Sequence, residues 1–177
     1  KYASTDLSET YRDLTEGEVE LARLIFGDRI DYSQAKIRNM PPDPNEDEST
    51  RNRSRTDEQG ITMIFPATCE DYSAEECINQ EIYLHEMTHI LQRQEDSPVL
   101  LEFYRPYKYD LDGTISFADL GIEQQAQLIQ DYAGEFILNK DKRCKDPNSL
   151  STFLNPKRTR MREVVHAEFP NIEQNCE

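Results

Sequence analysis

His85, Glu86 and His89 form an H-E-x-x-H pattern, His85-Glu86-Met87-Thr88-His89, within a segment whose apolar residues recur at helical spacing. Residues i and i+4 of a helix share one face about 6 Å apart, so both imidazoles can reach one tetrahedral ion. Glu86 falls one step, about 100°, round the helix axis, where its carboxylate stands beside a metal-coordinated water rather than on the metal. The predicted chemistry is hydrolysis with Zn²⁺ as cofactor: the ion acidifies water and polarises the scissile carbonyl, and Glu86 moves the proton. Only three histidines occur in the chain, and two belong to this pattern. Tyr83, Met87, Ile90 and Leu91 make an apolar back face, while Ile78 and Ile82 share the histidines' side. Imidazoles on so apolar a helix need a polar partner, and a divalent metal supplies one.

A catalytic zinc site takes a third protein ligand and keeps one position open. Two common continuations of the motif fail here. Gln92 occupies the metzincin glycine position and Glu95 its last histidine position, and Gly113-Thr114 is followed by Ile115, Ser116 and Phe117 instead of a Gly-Thr-x-x-Asp pattern. A carboxylate from a downstream helix remains. Glu123, at the edge of a buried stripe, is predicted first and Glu135 second, with Glu95, Glu102, Asp110 and Asp119 as further candidates. His166, or one of Tyr104, Tyr107, Tyr109 and Tyr132, would serve to stabilise an oxyanion. Asp110 to Ile115 has the look of half a calcium loop, but the twelve-residue register runs from Lys108 to Asp119 without the bidentate Glu, so a tight turn is predicted.

Four helices and a few strands must position these groups. Thr15 with Glu18 makes a capping box, Leu14 with Val19 a hydrophobic staple, and Gly27 a stop signal. Ile30 to Arg38 reads as a strand, and Ile61 to Phe65 as another, ended by Pro66. Between them, 41–60 lacks any apolar side chain and is predicted to be a mobile surface loop. Ser73-Ala74-Glu75-Glu76 is a second capping box, opening the motif helix toward Gln94. The aromatic-rich 98–109 stretch is predicted irregular, and Asp112-Gly113 between β-formers gives a hairpin signal. Ile122, Ala126, Ile129, Ala133, Phe136 and Ile137 trace the buried stripe of a helix starting near Asp119. Asn155-Pro156 opens a last helix that ends before Pro170. The fold class is α+β, with a small mixed or antiparallel sheet beside the motif helix and the Glu123 helix packed across it.

The 177 residues fit one domain, 1–177, with 1–13 a polar lead-in. Twenty basic against 35 acidic residues leave a net charge of −15, which disfavours nucleic acid and favours basic or neutral partners. No apolar run approaches the roughly 20 residues of a membrane span. The chain opens on Lys1 with no apolar signal core, so a processed product is expected. Cys69, Cys77, Cys144 and Cys176 lack C-x-x-C spacing and are expected to pair as Cys69–Cys77 and Cys144–Cys176 in an oxidising compartment.

Leu84 to Gln92, Tyr107 to Leu111, and Phe117 to Ala126, preceded by Leu14 to Glu18 and Phe26 to Tyr32, resemble the zincin-like zinc metallopeptidases associated with bacterial Rhs and Vgr proteins. The resemblance covers 14–138. It implies a zincin-like fold and a toxin-like effector secreted by a type VI machine into a neighbouring cell, with the periplasm as the oxidising destination. It also implies a protein or peptide substrate, an Rhs or Vgr carrier, and an immunity protein with a complementary face. The glutamate of the Glu-Gln-Gln-Ala run, here Glu123, would be the third ligand. Thermolysin-like relatives orient a ligand histidine with an Asp four residues after that glutamate. Gln127 stands there in this chain, and Asp131 is the expected substitute. Two other readings are a non-catalytic, metal-stapled module of a secretion protein and a peptidoglycan amidase.

Overall fold

A computed structural model describes residues 11–39, 54–57, 61–65, 69–74, 77–96, 107–138 and 156–172, with the backbone alone at 77 and 78. Strand β1 (Tyr11–Asp13) leads into helix α1 (Glu16–Phe26), then β2 (Lys36–Asn39), β3 (Arg55–Thr56) and β4 (Thr62–Phe65). The motif helix α2 (Cys77–Gln94), α3 (Ile122–Tyr132) and α4 (Pro156–Glu168) follow. The architecture is α+β. Its four-stranded sheet has the order β1-β2-β4-β3 and is mixed: β2 and β4 run parallel with Ile37 opposite Met63, and the two outer strands pair antiparallel. Among the described residues no helix is long and apolar enough to cross a membrane.

Helix α1 begins as the sequence predicts, with both capping-box bonds formed between Thr15 and Glu18. Glu18 does more than cap. It is fully buried, and Arg12 on β1 grips it with two bonds of 2.8 and 2.7 Å while the Tyr72 amide donates to it at 2.9 Å. A carboxylate with no exposure is tolerated because each oxygen meets a charge or a backbone N–H. Sheet, α1 and the 69–74 segment are thereby tied at one point.

The motif helix packs against β3, β4 and α3. Tyr83, Leu84, Met87 and Ile90 have no exposure, and Ile37, Met63 and Phe65 supply the sheet's share of the core. α3 runs antiparallel to α2. Glu123 near its start meets His85 and His89, whereas Gly134, just past its end, lies so close to the Glu81 carboxylate that a Cβ there would collide with it. α3 continues into a π-helical turn, Ala133–Ile137, that keeps Ala133 and Ile137 buried.

Several local expectations change. Strand β2 begins at Lys36, not Ile30, because the Asp31 carboxylate accepts from the Ser33 amide, the Ser33 hydroxyl and Gln34, curling 31–35 into a turn. Residues 11–13 of the supposed lead-in form a strand, while 1–10 lie outside the described residues. Within the segment read as a mobile loop, Arg55 and Thr56 form the edge strand β3, and the rest, apart from its flanks at 54 and 57, is outside the described residues. Backbone pairing to Met63 and Ile64 makes that strand without apolar side chains. Ser73 does not cap α2, since Asp71 engages its amide and hydroxyl in a separate 3-10 turn, Tyr72–Ala74.

The Asp112-Gly113 turn forms, with Gly113 at φ 72°, but no hairpin flanks it. Arg160 of α4 takes the Leu111 and Ile115 carbonyls that a partner strand would have used. α3 starts at Ile122, after a 3-10 turn at Phe117–Asp119. Cys69 is buried. The expected pairings fall on the Cys77 side chain, Cys144 and Cys176, outside the described residues.

Candidate metal centre

His85 and His89 project from one face of α2 because they are four residues apart, and Glu123 reaches them from the first turn of α3. Glu123 Oε2 lies 3.4 Å from His85 Nε2 and 3.4 Å from His89 Nε2. One ligand atom from each residue falls within 4.8 Å of the other two, the one such group of at least three His, Cys, Asp or Glu side chains among the described residues. The imidazole rings stand edge to face, 5.1 Å between centroids. All three side chains are largely enclosed.

Charge is organised around this point. Burial opposes ionisation of Glu123, but the hydrogen bonds and positive charge of His85 and His89 outweigh it and hold its pKa well below the carboxylate range. Burial likewise disfavours protonated His89, yet Glu123 and Glu86 reverse that and raise its pKa. Glu86 is 3% exposed, and burial raises its pKa against the opposing pull of His89, His85 and Thr56. The hydroxyl of Thr56 on β3 donates to Glu86 Oε2 at 2.8 Å.

The other predicted carboxylates are committed elsewhere. Glu135 pairs with Arg158 at 2.5 Å, and Glu95 pairs with Arg29 through two bonds of 2.9 and 2.8 Å. Asp119 caps Ser116, and Asp110 accepts from the Asp112 amide. Glu102 and Tyr104 lie outside the described residues.

Gln127, Asp131 and Tyr109 do come together, though with each other. The Asp131 carboxylate accepts from Tyr109 at 2.6 Å and from Gln127 at 2.8 Å. Asp131 is eight residues beyond Glu123, about 12 Å along the helix, so it does not reach a ligand histidine. Tyr109 is spent on Asp131, and that bond, after burial, raises its hydroxyl pKa. His166 sits 2.9 Å from the Tyr132 hydroxyl, on a helix face about 13 Å along α3 from Glu123, and is not part of the cluster. Tyr107 is the aromatic beside the ligands, lying nearly parallel to His85 with centroids 6.0 Å apart.

The hydrogen bond to His89 that Asp131 was expected to make comes instead from Gln92. His89 Nδ1 is 2.8 Å from Gln92 Oε1, and Gln92 Nε2 donates to Ile122 O at 3.0 Å and to Gln125 Oε1 at 2.8 Å. The available signal was position: Gln92 is three residues after a ligand histidine, on the same helix face.

No family model matches the sequence. The chain is 31% identical over 138 residues to the type VI secretion system spike protein VgrG2b of Pseudomonas aeruginosa, an alignment that takes in 71% of this chain and 13% of that protein. The chain thus spans about an eighth of the length of the curated relative it matches. Among solved structures, it is similar to the effector domain of Pseudomonas aeruginosa VgrG2b, at 24% identity and a TM-score of 0.54, over 91% of this chain and 83% of that one, and so shares its fold.

Proposed function

We propose that this chain is a zincin-like, zinc-dependent metallopeptidase domain of a type VI secretion effector. One observation supports the metal reading most strongly: Glu123 Oε2 stands 3.4 Å from each ligand nitrogen. Ligands around a tetrahedral ion with bonds of about 2.0–2.1 Å are separated by roughly 3.3–3.4 Å, whereas an octahedral ion with similar bonds would draw them to about 2.9 Å. Two imidazoles and one carboxylate are also the donor set of catalytic zinc in thermolysin.

A bound zinc ion would supply Lewis acidity and a water of lowered pKa. His85, His89 and Glu123 would hold it. Glu86, adjacent in sequence to His85 and electrostatically coupled to His85, His89 and Glu123, would accept the proton of the attacking water and later hand it to the leaving amine. Burial raises its pKa above the ordinary carboxylate value, the direction that favours taking a proton. Thr56 keeps one carboxylate oxygen occupied, so Oε1 is the oxygen left to work.

Delivery is inferred from the relatives. The match to a spike protein and the fold shared with its effector domain support passage through a type VI machine into a target cell, on a Vgr-type carrier. An immunity protein presenting a basic face would suit the net charge of −15.

The test is cleavage of an unfolded protein by the zinc-loaded chain beside Glu86→Gln, with purified sacculi as a second substrate. The variant is expected to fold and retain zinc while losing activity by at least about 100-fold. A zinc-replete Glu86→Gln that cleaves at the wild-type rate, or a wild type that digests sacculi alone, would overturn the reading.

A further inference from the structure

Gln92 and Gln125 are buried, at 3% and 4% exposure, on the two helices that bring the ligands together, and the proposed chemistry does not use them. Their hydrogen bonds admit one consistent orientation. Gln125 Nε2 lies 3.0 Å from Phe117 O and 3.1 Å from Leu120 O. Carbonyl oxygens only accept, so that atom is the amide NH2 and Oε1 faces the other way. Gln125 Oε1 then accepts from Gln92 Nε2, which also donates to the Ile122 carbonyl. Gln92 Oε1 is therefore the atom facing His89 Nδ1. An amide oxygen has no hydrogen to give, so Nδ1 must carry one.

We propose that Gln92, held by Gln125, is a positioning residue for the metal centre: the pair fixes the proton of His89 on Nδ1 and leaves Nε2 as its one nitrogen for a metal, aimed at the point shared with Glu123. The device rests on the metal reading above. It serves one ligand, since His85 Nδ1 is buried with no hydrogen-bond partner among the described residues. It also accounts for two polar residues on otherwise apolar helix faces, one three positions after His89 and the other two after Glu123.

Two substitutions separate this role from packing. Gln92→Leu removes the acceptor at nearly constant volume. Gln92→Glu keeps an acceptor for His89 Nδ1 but turns its second oxygen onto two other acceptors, Ile122 O and Gln125 Oε1, at a cost to the fold. Zinc affinity is read by chelator competition, and the stability of each metal-free protein by urea unfolding. Gln92→Leu is expected to weaken zinc binding about 10–100-fold, and Gln92→Glu to stay within about threefold of wild type despite being the less stable fold. Affinity that merely follows stability, with the Glu variant binding no better than the Leu variant, would overturn the inference. Nitrogen-15 NMR of the zinc-loaded wild type is expected to show a proton on His89 Nδ1, and a bare Nδ1 would overturn it without any variant. Wild type that binds no zinc would instead overturn the metal site itself, whereas tight zinc binding by both wild type and Gln92→Leu overturns this inference alone.

Discussion

The hydroxyl of Thr56 lies 2.8 Å from Glu86 Oε2 and 3.2 Å from the Glu86 carbonyl, so a two-residue edge strand reaches the group proposed to move the proton. A hydroxyl has one hydrogen and can serve either oxygen by rotation. Removing it leaves the buried Glu86 carboxylate without that donor. Thr56→Val is expected to lower kcat about tenfold, the worth of one charge-assisted bond, with KM and zinc content little changed. Thr56→Ser, which keeps the hydroxyl, restores it. Equal kcat in the Val and Ser variants would deny the role.

The buried Arg12–Glu18 pair predicts an ordering of stabilities. Arg12→Ala leaves a fully buried carboxylate short of its cation and is expected to cost about 3 kcal/mol. Thr15→Ala removes the cap bond alone and should cost about 1 kcal/mol. Urea unfolding of the two variants checks the order, and a larger loss for Thr15→Ala would contradict it.

His166 gives a pH dependence away from the metal centre. Burial, reinforced by the nearby Arg162 charge, lowers its pKa below the ordinary 6.5. Below pH 6.5 the unfolded chain therefore takes up the proton before the folded one, and stability falls as pH drops toward the folded pKa. Metal-free wild type is expected to lose more stability between about pH 7.5 and 5 than His166→Gln, whose amide can donate to or accept from the Tyr132 hydroxyl without titrating. Parallel stability curves for the two proteins would contradict the assignment.

What the sequence makes legible is local. His85 and His89 are one helical turn apart, so their shared face follows from the spacing alone, and the Thr15–Glu18 box closes within three residues. Glu123 could be ranked first because the stripe of α3 places it at a buried edge. Glu135 flanks the same stripe, and only tertiary structure shows it held by Arg158. The misses are contacts between distant segments. Gln92 with Gln125, Thr56 with Glu86, and Arg12 with Glu18 and Tyr72 depend on how helices and sheet dock, which polar residue types do not announce. The hairpin signal at Asp112-Gly113 misleads because Arg160, 45 residues after Ile115, takes the carbonyls a strand would have paired.

Metal content measured by elemental analysis on protein purified without chelators tests the central claim most directly. Wild type and Glu86→Gln are expected to hold about one zinc per chain, and His85→Ala, His89→Ala and Glu123→Ala to hold essentially none while remaining folded. Wild-type protein free of transition metal, or Glu123→Ala retaining zinc as tightly as wild type, would contradict the account.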